Sequence, residues 1–411
     1  MKIKRLKEYA YLIAHKGINV QKGRKYILDC PVEQHKFALL LIEELYKSGA
    51  SHVQVNYQDS SSKYAYTYCD IKDLSYFPRY KTSMYKTFLK EKRGRIVLTS
   101  PRPSIMDGLD INKITKVSQK SSRKYDFFSS VYGENKLEWC IAAVPNIDWA
   151  KKVFPNETPS KALEMLWDAI LNTLCVKGDN TSIDRWIKHN HDNKVRAEKL
   201  NNLNLKSLHF TSDNGTDLEI GLVKDYIFEG GTSFTPDNVE FDANMPTEEI
   251  FTMPHNKKIN GIVYSTKPLF IMGKIIENFG FKFKDGKIYE VLCENKEHKD
   301  ILEFVIKSDE GASSLGEVAL VANSSPINQT GILFFNTLFD ENASCHIALG
   351  DSYITNLKNN EKYTKEELKE LGSNNSIIHI DFMIGCSTTK VVGTTYDDNK
   401  ITILENGEFV I

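Results

Sequence analysis

The sequence predicts an α/β protein in two parts: an N-terminal α/β domain over residues 1–200 and a C-terminal mixed α+β domain over residues 201–411. Three observations predict it. Strand-like and helical runs alternate through the first half, as expected where helices cover a largely parallel sheet. Strand-like runs paired around short turns mark the second half, the pattern of antiparallel hairpins. The length of 411 residues exceeds one ordinary core and suits two or three.

Taken in order, Leu6, Tyr9, Leu12 and Ile13 recur at helical spacing over residues 6–16, and Gly17 can end that helix. Lys25–Asp29 reads as a strand, residues 33–48 as a helix carrying Phe37, Leu40, Leu41, Ile42 and Leu45, and His52–Tyr57 as the next strand. Gly94–Leu98 and Leu137–Ala143 are further strands around a helical stretch over residues 109–129. Neither a GxGxxG fingerprint nor a GxxxxGK[ST] loop is present, so a nucleotide-binding enzyme has little support. Ile147–Pro155 reads as a loop entering a helix, with Trp149 and Phe154 filling an interdomain contact. Residues 160–174 and 182–200 are helical, and Asn201-Asn202-Leu203-Asn204 is the polar transition that sets the boundary.

Beyond it, Asp213-Asn214-Gly215 and Lys284-Asp285-Gly286-Lys287 turn two hairpins, and Asn260–Tyr264 is a short strand. Thr364 with Glu367 forms a capping box for a short helix ending at Gly372. Ile401–Leu404 and Phe409–Ile411 make a closing hairpin.

Composition narrows the function. The 53 basic and 54 acidic residues cancel to a formal charge of -1, which argues against a nucleic-acid partner gripped through its phosphates. No apolar run approaches the roughly 18 residues of a membrane span, and the opening Met1-Lys2-Ile3-Lys4-Arg5 is not a secretory segment, so a soluble, cytoplasmic protein without a membrane partner is expected. Seven scattered cysteines without a CxxC pair read as reduced thiols rather than a zinc knuckle.

Four segments carry candidate chemistry. In Asn244-Met245-Pro246-Thr247-Glu248-Glu249-Ile250-Phe251-Thr252-Met253-Pro254 two prolines restrict adjacent carboxylates, so one can face a site while its neighbour supports it; alone, the segment reads as a structured loop or edge. Glu317 sits between a Gly-rich approach and the apolar run Val318-Ala319-Leu320, where a carboxylate needs a proton, a cation or a metal; the plainer reading is a solvent-facing residue at a helix start. His346 and Tyr353 lie in Glu341–Tyr353, an imidazole to ligate or hydrogen-bond and a phenol to polarise a carbonyl. In Ile377-Ile378-His379-Ile380-Asp381-Phe382-Met383, a period of two puts His379 and Asp381 on one strand face inside an apolar run. Glu249, Glu317, Asp381, His346 and His379 form a hard oxygen and nitrogen set suited to a pair of divalent ions, whose charge the three carboxylates and a hydroxide would balance. His189 and His191 read as solvated, His209 as a strand residue, and His255 as a possible substrate contact.

The four segments, in this order, resemble the M29 aminopeptidases across almost the whole chain. The resemblance implies a C-terminal metal-binding domain in which Glu249, Glu317, His346, His379 and Asp381 hold two divalent ions, with zinc, cobalt, manganese and magnesium all eligible. It places Tyr353 at the metals or beside the reacting group, and gives Glu248 a supporting role. It further implies hydrolysis of the first peptide bond of a peptide with a free amino terminus, by metal-activated water, with Glu248 and Glu317 as candidate proton carriers, and a homodimer with a protected interior cavity. The alternatives are another two-metal amidohydrolase and a noncatalytic metal-binding protein.

Overall fold

The computed structural model describes residues 3–106, 108–272 and 274–411. It comprises two compact units, Met1–Lys188 with Thr232–Pro246, and His189–Gly231 with Thr247–Ile411. The chain therefore parts between Lys188 and His189, in the first third of the helix Ser182–Asn202 and before the boundary expected near residue 200, and a later segment returns to the first unit. Two interactions account for the return. Asn244–Met245 adds a short strand beside Ile141 and Ala142, and the Trp186 indole N–H donates to Asp242 at 2.6 Å.

In the first unit the expected alternation of strands and helices is present. β1 (Lys25–Pro31), β2 (His52–Gln58), β3 (Gly94–Thr99) and β4 (Trp139–Ala143) form a parallel sheet in the order β4-β3-β1-β2, with Asn244–Met245 outside β4. Helices cover the strands, so Tyr26, Ile27, Leu28, Ile96, Leu98, Cys140 and Ala142 are all buried. The helix His35–Lys47 buries Phe37, Ala38, Leu41 and Leu45, a stripe at three- and four-residue spacing. The expected loop is the short link 144–146 and the helix begins at Ile147 itself: the Asn146 side chain caps it by accepting the Trp149 N–H at 2.9 Å, and Trp149 is fully buried.

The second unit is antiparallel. Its eight-stranded sheet runs Lys287–Cys293, Phe279–Lys284, Pro254–Tyr264, Asp217–Leu222, Leu205–Thr211, Lys390–Thr395, Lys400–Glu405, Glu408–Phe409. All three expected hairpins are present, and the short strand expected at Asn260 is the end of the longer Pro254–Tyr264. The Thr364 capping box forms, and Gly372 takes the left-handed conformation at φ 100° that ends the helix Lys365–Leu371.

A second sheet of five strands carries the candidate chemistry: β5 (Glu229–Gly230), β6 (Ile250–Thr252), β7 (Leu315–Leu320), β8 (His346–Gly350) and β9 (His379–Met383), paired antiparallel in that spatial order. Alternation divides its two faces. Val318, Leu320, Ile347, Leu349 and Phe382 join a core with Phe210, Leu218, Ile220, Ile259, Phe281 and Val391 of the larger sheet. Their neighbours along each strand project to the opposite face.

Phe382 is fully buried, with its ring 5.6 Å from that of Phe279 and 5.3 Å from that of Phe281. Phe382→Ala should cost about 3–5 kcal/mol, since the cavity adds to the lost transfer energy. Urea unfolding of the second unit measures this, and an unchanged midpoint would remove Phe382 from the core. Among the described residues, no helix is long and apolar enough to cross a membrane, and the seven cysteines are free thiols.

Candidate metal centre

β7, β8 and β9 bring Glu317, His346, His379 and Asp381 together for a reason visible in the register. Ala348 of β8 stands opposite Glu317 on one side and Asp381 on the other, while Ala319 stands opposite His346 and Gly350 opposite His379. Residues directly opposite share a face, as do residues two apart on one strand. All four side chains therefore project to the face that the core does not use. Glu249, two residues before Phe251 of β6, joins them. Small residues at Ala319, Ala348 and Gly350 leave space between them. Gly350 also needs its identity for backbone reasons: its φ is 104°, and a Cβ there would stand 2.0 Å from the Ile378 carbonyl oxygen.

The polar atoms converge. His346 Nε2 lies 3.1 Å from Glu249 Oε2 and 3.3 Å from Glu317 Oε1. His379 Nε2 lies 3.5 Å from Glu317 Oε2 and 3.3 Å from Asp381 Oδ1. Glu249, Glu317 and His346 each offer an atom within 4.8 Å of the others, and so do Glu317, His379 and Asp381; Glu317 belongs to both groups. Each imidazole is held from behind. His379 Nδ1 donates to the Asp351 carbonyl at 2.8 Å and His346 Nδ1 to the Ser344 carbonyl at 3.3 Å, which leaves each Nε2 turned toward the carboxylates. The approach to β9 is fixed by Asp309, which accepts the Ile377 N–H at 2.6 Å and the Ser376 hydroxyl at 2.9 Å.

Without a bound cation, the imidazoles supply the positive charge. Burial disfavours the His379 cation, but the hydrogen bonds and charges of Asp381 and Glu317 outweigh it and push the group up to about 12. Burial works the same way on His346, which Glu249 and Glu317 nevertheless hold well above the usual histidine range. Burial would raise Glu317, yet its hydrogen bonds from His346 and His379 hold it at about 2. In Glu249 burial prevails over His346, and its carboxyl is raised.

Tyr353 follows β8, with its ring centroid 4.7 Å from the His379 imidazole and 6.2 Å from Phe251. It is 43% exposed, so the ring borders open solvent. Burial of its hydroxyl, then the charges of Glu317, Asp381, Glu341 and Glu249, raise it well above an ordinary phenol, which keeps its proton in place. Glu248 lies outside both donor groups. Its backbone N–H donates to Asn342 Oδ1 at 2.6 Å, its carboxylate stands 3.8 Å from His189 Nε2, and burial pushes it up to about 7 while His189 and Arg196 oppose the shift.

Three residues escaped the sequence reading. His189, expected to be solvated, is half-buried and donates through Nε2 to the Thr247 carbonyl at 2.7 Å, beside Glu248. Glu341, in the turn Glu341–Ala343, stands among the candidate ligands; burial, then Glu249 and Asp381, raise its carboxyl well above the usual range. Its signal was a carboxylate opening the buried run that leads to His346. Glu229 of β5 is the third, and its two-residue strand carries no periodic signal. His191 is exposed, His209 pairs with Asp217 at 2.6 Å on the larger sheet, and His255 packs beside Gly372.

The chain is similar to known proteins along its whole length. The family model for thermophilic metalloproteases (M29) matches residues 2–409. Aminopeptidase PepS of Streptococcus thermophilus is 36% identical over 408 residues, 99% of this chain and 98% of the relative. Aminopeptidase AmpS of Bacillus subtilis (strain 168) is 35% identical over 406 residues, 98% of each. The solved structure of wild-type AmpT from Thermus thermophilus superposes with a TM-score of 0.91 at 31% identity, over 100% of both chains.

Proposed function

The chain belongs to the M29 metalloprotease family, and from that premise we propose that it is a metal-dependent aminopeptidase, hydrolysing the first peptide bond of peptides with a free amino terminus. The observation that carries the site is the convergence of five hard donors on one sheet face with Glu317 common to two groups. Three carboxylates and two imidazoles are the donor chemistry that divalent ions of the zinc, cobalt, manganese and magnesium set accept. We assign Glu249, Glu317 and His346 to one ion, and Glu317, His379 and Asp381 to a second. When bound, the ions supply Lewis acidity to the peptide carbonyl and lower the pKa of water at the site.

The chain's own groups do the rest. The Tyr353 hydroxyl, held protonated, donates a hydrogen bond to the oxygen of the tetrahedral centre as charge develops there. Glu248 can gain and lose a proton near neutrality and is the candidate carrier toward the departing amine, whereas Glu317, with both oxygens turned toward the two donor groups and its carboxyl held at about 2, is kept as a ligand. His189 and the Asn342 side chain fix the Glu248 segment. A homodimer and a cytoplasmic location complete this reading, which rests on the family's resemblance; sedimentation at equilibrium tests the first.

The test uses the full chain, stripped by a chelator and reloaded with each metal in turn. Cleavage should vanish on stripping, return on reloading, and disappear when the substrate's amino terminus is acetylated. Equal rates on blocked and free peptides would replace the aminopeptidase by another amidohydrolase. A fully loaded protein that cleaves no peptide would leave a noncatalytic metal-binding protein.

A further inference from the structure

An aminopeptidase must recognise the ammonium at the start of its substrate, and none of the five candidate ligands is free to do so. Across the strands, Glu229 of β5 stands opposite Phe251, Phe251 opposite Ala319, and Ala319 opposite His346. This row lies on the ligand face, so Glu229 projects to the same side of the sheet as all five donors. Two strand spacings separate its backbone from that of β7, roughly 10 Å, which two side chains on one face shorten. That is too far to ligate what Glu317 ligates, and suits a group bound to a substrate atom two bonds from the scissile carbonyl.

The surroundings of Glu229 are built rather than incidental. The segment Tyr353–Leu357 is stitched to β5 and β6: the Ile227 N–H donates to the Asn356 carbonyl at 2.7 Å, and the Asn356 side-chain amide donates to the carbonyls of Ile227 and Phe251 at 3.3 and 3.4 Å. This fixes the Thr355 hydroxyl, which donates to Glu229 Oε2 at 3.1 Å. Among the described residues, Oε1 has no hydrogen-bond partner, and no Lys, Arg or His pairs with the carboxylate. Burial, with Glu317 adding to it and Thr355 opposing it, raises its carboxyl to about 7, the mark of a carboxylate lacking a cation. The other acidic groups nearby are engaged differently. Glu248 faces His189, and Glu341 stands among the ligands.

We infer that Glu229, oriented by Thr355 at the edge of the metal-bearing sheet, is the acceptor for the α-ammonium of the substrate's first residue, with Phe251 and Tyr353 bordering that residue. This rests on the aminopeptidase reading above. The step is binding alone: one ammonium hydrogen bonds to Oε1, and no covalent bond changes.

The test compares leucine hydroxamate with isocaproyl hydroxamate, which differ only in the α-amino group, by calorimetric binding to the metal-loaded full chain. Wild-type protein should bind the amine-bearing ligand about 100-fold more tightly, the value of a charge-assisted hydrogen bond in a partly dry site. Glu229→Gln should cut that ratio below about 10 while leaving metal content and the affinity for the desamino ligand unchanged. Glu229→Asp should restore part of the ratio, and Thr355→Val should give an intermediate one. A merely structural glutamate would weaken both ligands together. An unchanged ratio in Glu229→Gln overturns the assignment; if that variant does not fold, an unchanged ratio in Thr355→Val does so. A wild-type protein that neither distinguishes the ligands nor cleaves free-amino peptides overturns the aminopeptidase reading as well. Preferential cleavage of free-amino peptides that survives in Glu229→Gln overturns the subsite alone.

Discussion

Glu317→Gln should abolish both donor groups with one substitution. Glu317 is the residue the two groups share, with Oε1 toward His346 and Oε2 toward His379. An amide keeps the shape but offers one neutral oxygen in place of two charged ones, and its nitrogen cannot ligate. Even residues that merely orient ligands are worth about 10–100-fold in metal affinity, so loss of a shared ligand should exceed about 100-fold, with turnover falling at least as far. Glu249→Gln removes a ligand from one group only and should leave part of the bound metal. The metal-free fold should suffer too: the buried His346 and the half-buried His379 lose a common counter-charge, and breaking the buried pair with His346 costs about 3–5 kcal/mol. Metal content by mass spectrometry, turnover and thermal unfolding are the three readouts. A Glu317→Gln protein with its full metal complement and native turnover would refute the shared-ligand assignment.

The legibility of this site followed from where alternation was strong. His379 and Asp381 could be placed on one face because β9 is an unbroken apolar strand around them, and His346 was legible for the same reason in β8. The first unit was readable because each helix and strand carries its own period, and its hairpin counterparts in the second unit because Asn-Gly and Asp-Gly turns mark both ends. What remained hidden depends on distant pairing. Nothing local reveals that Glu229–Gly230 is a strand; it becomes one only because Phe251 and Ile250 offer it an edge. Asn244–Met245 likewise joins the parallel sheet through Ile141 and Ala142, more than a hundred residues earlier, and this draws Thr232–Pro246 back into the first unit. His189 lies in a polar helical sequence and looked solvated, yet the carbonyl it meets belongs to Thr247. A helix's exposed face cannot be read from its own residues once another segment is laid across it.

Metal uptake should release close to two protons, and apparent affinity should rise steeply with pH. In the metal-free chain His379 sits at about 12 against an ordinary 6.5, and His346 is displaced in the same direction, so both are cations at neutrality. A group whose folded value is raised contributes stability that is fully present below its unfolded value and lost as pH climbs through the folded one. For His379 that loss is centred near 12. Glu317 is the converse, ordinary value 4.5 and folded value about 2, so its contribution is present above the ordinary value and lost as pH falls through about 2. These are two views of one set of ion pairs, and the metal-free cluster is at its firmest between those limits. Ligation needs each Nε2 lone pair, which its proton now occupies, so every imidazole that binds must first lose that proton. With one proton displaced at each ion, each affinity should rise by up to about 10-fold for each pH unit, and the product of the two by up to about 100-fold, while both imidazoles stay protonated in the free chain. Calorimetric titration of zinc into the stripped protein, in two buffers of different ionisation enthalpy, counts the protons directly. Affinity that is flat between roughly pH 6 and pH 8, with no buffer-dependent heat, would mean that the imidazoles are neutral before the metal arrives and that the carboxylates hold the cluster together by other means.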